Sequence, residues 1–460
     1  MDELGWLERL LGELEAGLER TKRLRRYKNN EPNLPEMGDN LREAWGRFQR
    51  ESATNWAELI VDPVVERIVP NSIVVDGDTD AETAARRIWR DNRLDANFPD
   101  MVADMLATRH GFFMVTRGQD GKAQITVEDP ELVATVQDPV RAWKSVAAIK
   151  VWRDRFAGKD FAYVWHDGYR VKWERDSADD GGALRAFDIP VRTKTPPTSW
   201  ELTGERLAED VPIIRFDNRG NRGEFEQHIP LIDRINRGIL NRLVIAAAQA
   251  FRARALVSDK DGQGLPTHDD EGNEIDYGKI FESAPGAIWE LPPGVGIWES
   301  SQADIRQLIE AERADIRQLS AVSRTPMSVF IPDSGNQSAT GAEYNREGLI
   351  NKAQDRIKRI KPTMEVVLVK ALRLEGFNVD GTLELGFEPT HMVTVAEKYD
   401  AGLKAKAVGL SLESIQRNIL GYSQTQIQED RAGRWADLLN VPQPVQGAGI
   451  EPVVSADGTE

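Results

Sequence analysis

A chain of 460 residues with 40% apolar and 29% charged residues is long enough for two or more packed regions and too apolar to remain disordered. Its formal net charge of -16 argues against a basic coat for nucleic acid, because tight phosphate binding needs clustered Lys and Arg. The absence of cysteine removes disulfides, thiolate metal sites and cysteine nucleophiles, and an acidic start with no long apolar run predicts a chain that neither spans a membrane nor is secreted.

Leu7, Leu11, Leu14 and Leu18 recur at spacings of four, three and four, which predicts a packing helix over 4–26. A loop rich in Pro, Asn and Gly follows at 29–39, then a helix through Trp45 and Phe48 and another over 55–69, stopped by Pro70. Asp80 stands where an N-cap would start a helix to about residue 94, and a further helical stretch ends near His110. From 112 to 216 the pattern changes to short β-branched and aromatic runs at 112–117, 123–128, 146–153, 161–166, 169–174 and 211–216. Turn signals such as Gln119-Asp120-Gly121 and Asp167-Gly168 separate them, so this region reads as antiparallel sheet.

The helical period returns with Ile232, Ile235, Ile239, Leu243 and Ala247, a stripe on a long helix over 231–256. Residues 257–300 then carry ten acidic side chains and two Lys, with turn-rich sequence and extended pieces near Ile280 and Ile288, as a small strand-containing insertion would. A second helix is predicted from Ser301 to Val322, with Ser301 and Asp304 as a capping box. It holds the hexapeptide Ala303-Asp304-Ile305-Arg306-Gln307-Leu308 and its repeat from Ala314 to Leu319. The offset of eleven residues keeps Ile305, Leu308, Ile316 and Leu319 on one stripe, which is expected to be buried against the first helix or another copy of the chain. A polar loop at 325–340, a long helix over 341–374, a strand over 382–387 and two or three short helices over 395–439 complete the chain, with residues 441–460 read as a disordered tail.

Catalytic motifs are missing. There is no G-x-x-x-x-G-K-[ST] loop, the five His show no metal-ligand spacing, and no nucleophile elbow occurs. Asp76, Asp78 and Asp80 alternate like a calcium loop, but Ala81 stands where that loop needs Gly and Arg87 where it needs Glu. Neither catalytic residues nor a cofactor or metal site is therefore expected.

The order of these elements resembles that of the portal, or head-to-tail connector, proteins of siphophages. Three local sequences carry the likeness further. His228-Ile229-Pro230-Leu231-Ile232-Asp233-Arg234-Ile235-Asn236 is similar to the start of that family's first stem helix. Ser323-Arg324-Thr325-Pro326 with Asn336-Gln337-Ser338-Ala339 is similar to its tunnel loop, and Ala396-Glu397-Lys398-Tyr399-Asp400 through Gly409-Leu410-Ser411 to its crown.

The resemblance implies an α+β fold divided into a wing (1–225), a first stem helix (226–256), a clip (257–300), a second stem helix (301–324), a tunnel loop (325–340), a long helix and strand returning to the wing (341–393) and a helical crown (394–440). It implies a ring of about twelve copies at one capsid vertex of a virion, through which double-stranded DNA is packaged and ejected. Asn336, Gln337, Ser338 and Thr340 would then face the DNA channel. Asp269, Asp270 and Glu271 on the clip would dock the terminase motor, which a head-completion adaptor later replaces. The major capsid or scaffolding protein is a further implied partner, and no membrane is involved. Two other readings stay open at this point: a different phage head-assembly or minor capsid protein, and an α+β enzyme without a recognisable motif.

Overall fold

The computed structural model describes residues 2–35, 46–76, 78–154, 156–176, 200–204, 206–250, 254–258, 265–268, 271–276, 295–299, 304–332, 339–379, 381–391, 395–422 and 424–439. Helices and strands are mixed throughout and all strand pairs are antiparallel, as an α+β reading requires. Two sheets form the middle of the body. The smaller has strand order β10-β2-β3, from Ile213–Asp217, His110–Arg117 and Ala123–Glu128. The larger runs β4-β5-β6-β7-β8, from Val133–Gln137, Ser145–Asp154, Lys159–His166, Tyr169–Asp176 and Glu201–Leu202, with β9 (Leu207–Ala208) also on β7.

Alternation along each strand divides the core. Phe112 and Ile213 of the smaller sheet meet Val133, Ala148 and Trp165 of the larger one. The next residues along, Phe113, Val115 and Ile214, point the other way into the main core. There they meet α5 (Leu94–Thr108) and a long helix, α9 (Ala339–Leu374), through Phe98, Met101, Met364 and Leu368. On the larger sheet, Ala147, Ile149, Val164 and Val171 face outward from this sandwich, and α1 (Glu3–Lys28) covers them with Leu7, Leu10, Leu11 and Leu14. The leucine stripe read from the sequence is thus a lid on a sheet.

The larger sheet also buries a charge. Register pairs Arg153 with Asp160 and Asp160 with Arg175 on three neighbouring strands, and the Asp160 carboxylate accepts from Arg153 at 2.6 Å and Arg175 at 3.1 Å. Two guanidinium groups satisfy one buried acid, and Arg175 in turn lies over the Trp200 ring at 4.6 Å.

Several boundaries differ from the sequence reading, each for a reason. The helix expected over 55–69 is α3, Trp56–Val65, preceded by a short helix α2 at 46–51. Pro70 opens a strand, β1 (Pro70–Val75), which pairs with β13 (Leu383–Phe387), a partner about 310 positions away that no local pattern reveals. Asp78, not Asp80, caps α4 (Thr79–Asp91): its carboxylate accepts from the backbone N–H of Asp80 at 3.1 Å and of Ala81 at 2.8 Å. Strand β4 had no counterpart in the sequence reading, because it is short and lies between Pro130 and Asp138.

The first long helix, α6, is Ile229–Ala250, and Arg254–Ser258 is strand β11, antiparallel to β12 (Val295–Glu299). Ser301 of the expected capping box lies outside the described residues, and Asp304 accepts from the Arg306 N–H at 3.0 Å and starts α7 (Ile305–Ser323). The loop after it contains a one-turn helix, α8 (Met327–Phe330), and α9 begins at Ala339, so Thr340 is helical. Helices α10 (Val395–Ala407), α11 (Leu412–Ile415) and α12 (Gln424–Leu439) follow β13. The expected tail at 441–460 and the extended pieces near Ile280 and Ile288 lie outside the described residues.

Candidate functional site

Helices α6 and α7 pack side by side, and their ion pairs fix the direction. Arg234 reaches Asp315 at 2.8 Å and Gln318 at 2.6 Å, and Arg242 reaches Glu312 at 3.1 Å, so the partners descend as α6 ascends and the helices are antiparallel. Ile232, Ile235, Ile239 and Leu240 are buried on α6, as are Ile316 and Leu319 on α7. Ile305 and Leu308, eleven residues earlier on the same stripe, are half-buried. Burial therefore falls along the pair, which projects from the body and ends in the β11–β12 ribbon, where Ile297 and Trp298 are exposed.

The root of this hairpin is built from distant parts of the chain. Arg20 of α1 grips Glu226 with two hydrogen bonds of 2.6 and 2.8 Å just before α6. Within the first turns of α6, the Tyr27 hydroxyl donates to Asp233 at 2.8 Å and Trp56 Nε1 donates to Asn236 at 3.0 Å. Pro230 sits where a missing backbone N–H costs nothing, since the first turn of a helix leaves those groups unpaired. Asp233 and Asn236 of this stretch thus have specific partners in the body, and Ile229, Ile232 and Ile235 are buried in its core.

Beneath the hairpin lies a buried charge cluster. Glu224, in the connection from β10 to α6, contacts Arg356 at 2.7 Å and Lys352 at 3.1 Å, both on α9, and accepts from Asn218 at 3.0 Å. Lys352 also donates to the Ser323 carbonyl at the last turn of α7, at 3.3 Å. Burial alone would raise the Glu224 carboxyl, but Lys352 and Arg356 outweigh it and hold it below the usual carboxylate range. Burial pushes Lys352 down, with Glu224 offsetting only part of that. Glu224 thus has both Lys352 and Arg356 as counter-ions, and Arg356 is shared with Asp355. One buried acid therefore joins the start of α6, the end of α7 and the middle of α9.

The residues singled out from the sequence fall in different places. Ile316 and Leu319 are in the root of the hairpin, and Ile305 and Leu308 further out. Glu271 is exposed in a turn between His268 and Glu274, which bridge each other, while Asp269 and Asp270 lie outside the described residues. Asn336, Gln337 and Ser338 also lie outside them, and Thr340 is the second residue of α9 rather than part of a loop. Ser411 caps α11 by accepting from the Ser414 N–H at 3.3 Å, after Gly409 turns the chain at φ 95°.

Glu224, Tyr27 and Trp56 escaped the sequence reading because their partners are far away in sequence. Lys352 and Arg356 left a signal: both share a helix face with Leu349, Ala353 and Ile360, where a cation has no reason to stand unless it meets an acid. Among the described residues no group of His, Asp and Glu could hold a metal ion, and no helix is long and apolar enough to cross a membrane.

Comparison with known proteins bears on the same elements. A family model described as phage portal protein, SPP1 Gp6-like, matches residues 7–432. No curated protein matches the chain. Similar solved structures include the neck of a native GTA particle computed with C12 symmetry, at 13% identity and TM-score 0.43 over 83% of this chain and 92% of that one. The virion of a native gene transfer agent particle has 14% identity and TM-score 0.43 over 82% and 91% of the two chains. The neck of an empty GTA particle computed with C6 symmetry has 12% identity and TM-score 0.41 over 82% and 91%.

Removing one partner of a buried ion cluster leaves an uncompensated charge, so Glu224→Gln is expected to cost about 3–5 kcal/mol in urea denaturation. Lys352→Met should cost clearly less, since Arg356 and Asn218 still serve the carboxylate. Equal losses would show that Glu224 depends on Lys352 as much as on Arg356. A second expectation concerns pH. Burial first, and then the bond to Asp233, raise the Tyr27 hydroxyl to about 12. A raised acid contributes stability that is full below its unfolded value of 10.0 and is lost as pH rises through about 12. Melting curves of the wild type should therefore fall more steeply across that window than those of Tyr27→Phe.

Proposed function

The chain belongs to the SPP1 Gp6-like family of phage portal proteins, which is structural and not enzymatic, and from that premise we propose that it forms a ring at one vertex of a phage-type capsid, through which double-stranded DNA passes in packaging and ejection. The observation that carries the proposal is the family match, which spans all but the first six and last 28 residues. In this reading α6 and α7 are the stem, the ribbon β11–β12 with the acidic turn at 271–276 is the clip, the segment from Thr325 to the start of α9 is the tunnel loop, and α10 to α12 form the crown. The root of the hairpin supports a stem that transmits load, because its polar anchors reach α1, α3 and α9.

A conduit needs walls that touch DNA without holding it. Every cation repeated around a ring would multiply phosphate contacts and stall the duplex. Two of the stem arginines, Arg234 and Arg242, are already paired with α7. Asn336, Gln337 and Ser338 are neutral, and single neutral hydrogen bonds of about 0.5–1.5 kcal/mol can break as DNA slides.

Three experiments follow. Negative-stain images of the purified protein should show rings with a central hole, and images of monomers alone would overturn the reading. In rings that assemble, replacing Asn336, Gln337 or Ser338 by Arg should slow DNA packaging, most at low salt; normal rates for all three at every salt concentration would remove this segment from the channel. Reversing Asp269, Asp270 and Glu271 to Lys should weaken capture of the packaging motor at low salt while rings persist, since exposed charges steer association and are screened. Unchanged capture would place motor docking elsewhere.

A further inference from the structure

The helical layer over the smaller sheet has two unlike flanks. On one, where α9 covers the edge strand β10, two adjoining cavities of about 900 and 940 Å³ form a groove. They share Pro362, Val366, Lys370 and Asp210. Six cations against four carboxylates line the groove. Arg117, Lys144, Lys370 and Arg373 have no carboxylate within ion-pair distance among the described residues, whereas Glu209 is already paired with Arg170 at 3.1 Å. The groove is also apolar where it is open: Trp143 is 72% exposed and Val366 51%.

The other flank has the opposite character. Where α3 meets α5, which lies over β2 and β3 rather than β10, a cleft of about 620 Å³ is floored by Val65, Pro99 and Ala103. Glu58, Asp62 and Glu66 rise along one stripe at spacings of four, Asp100 faces them from α5, and Lys28 is the single lining cation. None of the four carboxylates has an ion-pair partner among the described residues. Burial, and then the nearby Glu58, raise the Asp62 carboxyl, and Lys28 offsets only part of that.

We propose that these flanks are the two halves of one contact between copies of the chain, the acidic α3–α5 cleft of one copy seating on the basic, apolar groove beside α9 of the next. The occupant of the groove is a second copy because charge and polarity complement each other only between unlike flanks. A two-fold pairing would set cation against cation or acid against acid. Contacts of unlike patches are head-to-tail, and when the rotation closes they generate rings. The proposal rests on the portal reading and adds to it which surfaces meet.

The test exchanges charge between flanks at exposed positions. One variant carries Glu58→Lys and Glu66→Lys, the other Lys144→Glu and Arg373→Glu, and ring content is read by sedimentation velocity at low salt. Each variant alone should lose rings by about tenfold or more while melting like the wild-type monomer, because like charges now face across the contact. Mixed in equal amounts, the two should recover rings, since each altered flank then meets an altered flank of opposite sign. Rings formed by both variants alone, or no recovery on mixing, would overturn this contact and leave the portal reading standing. A wild-type chain that stays monomeric would overturn both.

Discussion

A single buried carboxylate sets the relation between the projecting helices and the body. Glu224 precedes α6, and its partners Lys352 and Arg356 stand one turn apart on α9, with Lys352 reaching on to the end of α7. An ion cluster away from water is intolerant of displacement, since any separation leaves a charge unpaired in a medium that cannot solvate it. Apolar packing at the same place would permit sliding. The cluster therefore specifies where two helices leave the body, and the contacts of Arg20, Tyr27 and Trp56 specify the angle at which the first one does so.

Away from that root the constraints weaken in order. Ile316 and Leu319 are buried, the equivalent Ile305 and Leu308 are half-buried, and Ile297 and Trp298 of the ribbon are exposed. The repeat of eleven residues makes this gradient clear, because both copies present the same side chains to the same face and differ only in distance from the body. Apolar side chains are thus left uncovered toward the tip of the hairpin. Leu403 in α10, Val408 and Leu410 in the turn after it and Trp435 in α12 are likewise more than half exposed.

The sheet region serves as a frame. Cross-strand register places Asp160 between two arginines and sets Trp165 into the space between the sheets, while α1 closes the outer face and continues to Arg20 and Tyr27 at the hairpin root. One helix thus covers a sheet with its first half and anchors a helix pair with its second. Coupling of this kind lets a β-rich region remote from the projecting helices share in holding them.

What the sequence determined by itself was periodic and local. The leucine stripe of α1, most of the strands between 110 and 217, α6 and α7, and the likeness to a portal chain were all legible, because period and turn chemistry act within a few residues. Tertiary structure decided the rest. Pro70 begins a strand because β13 is there to pair with it, and Arg254–Ser258, part of which reads as helix in the sequence, form a strand because β12 pairs with them. Asp78 rather than Asp80 caps α4, a choice between two similar residues settled by where β1 ends. Glu224 looked like any acid in a loop. Its role depends on two cations more than 120 residues away, and a local pattern carries no information about a partner at that distance.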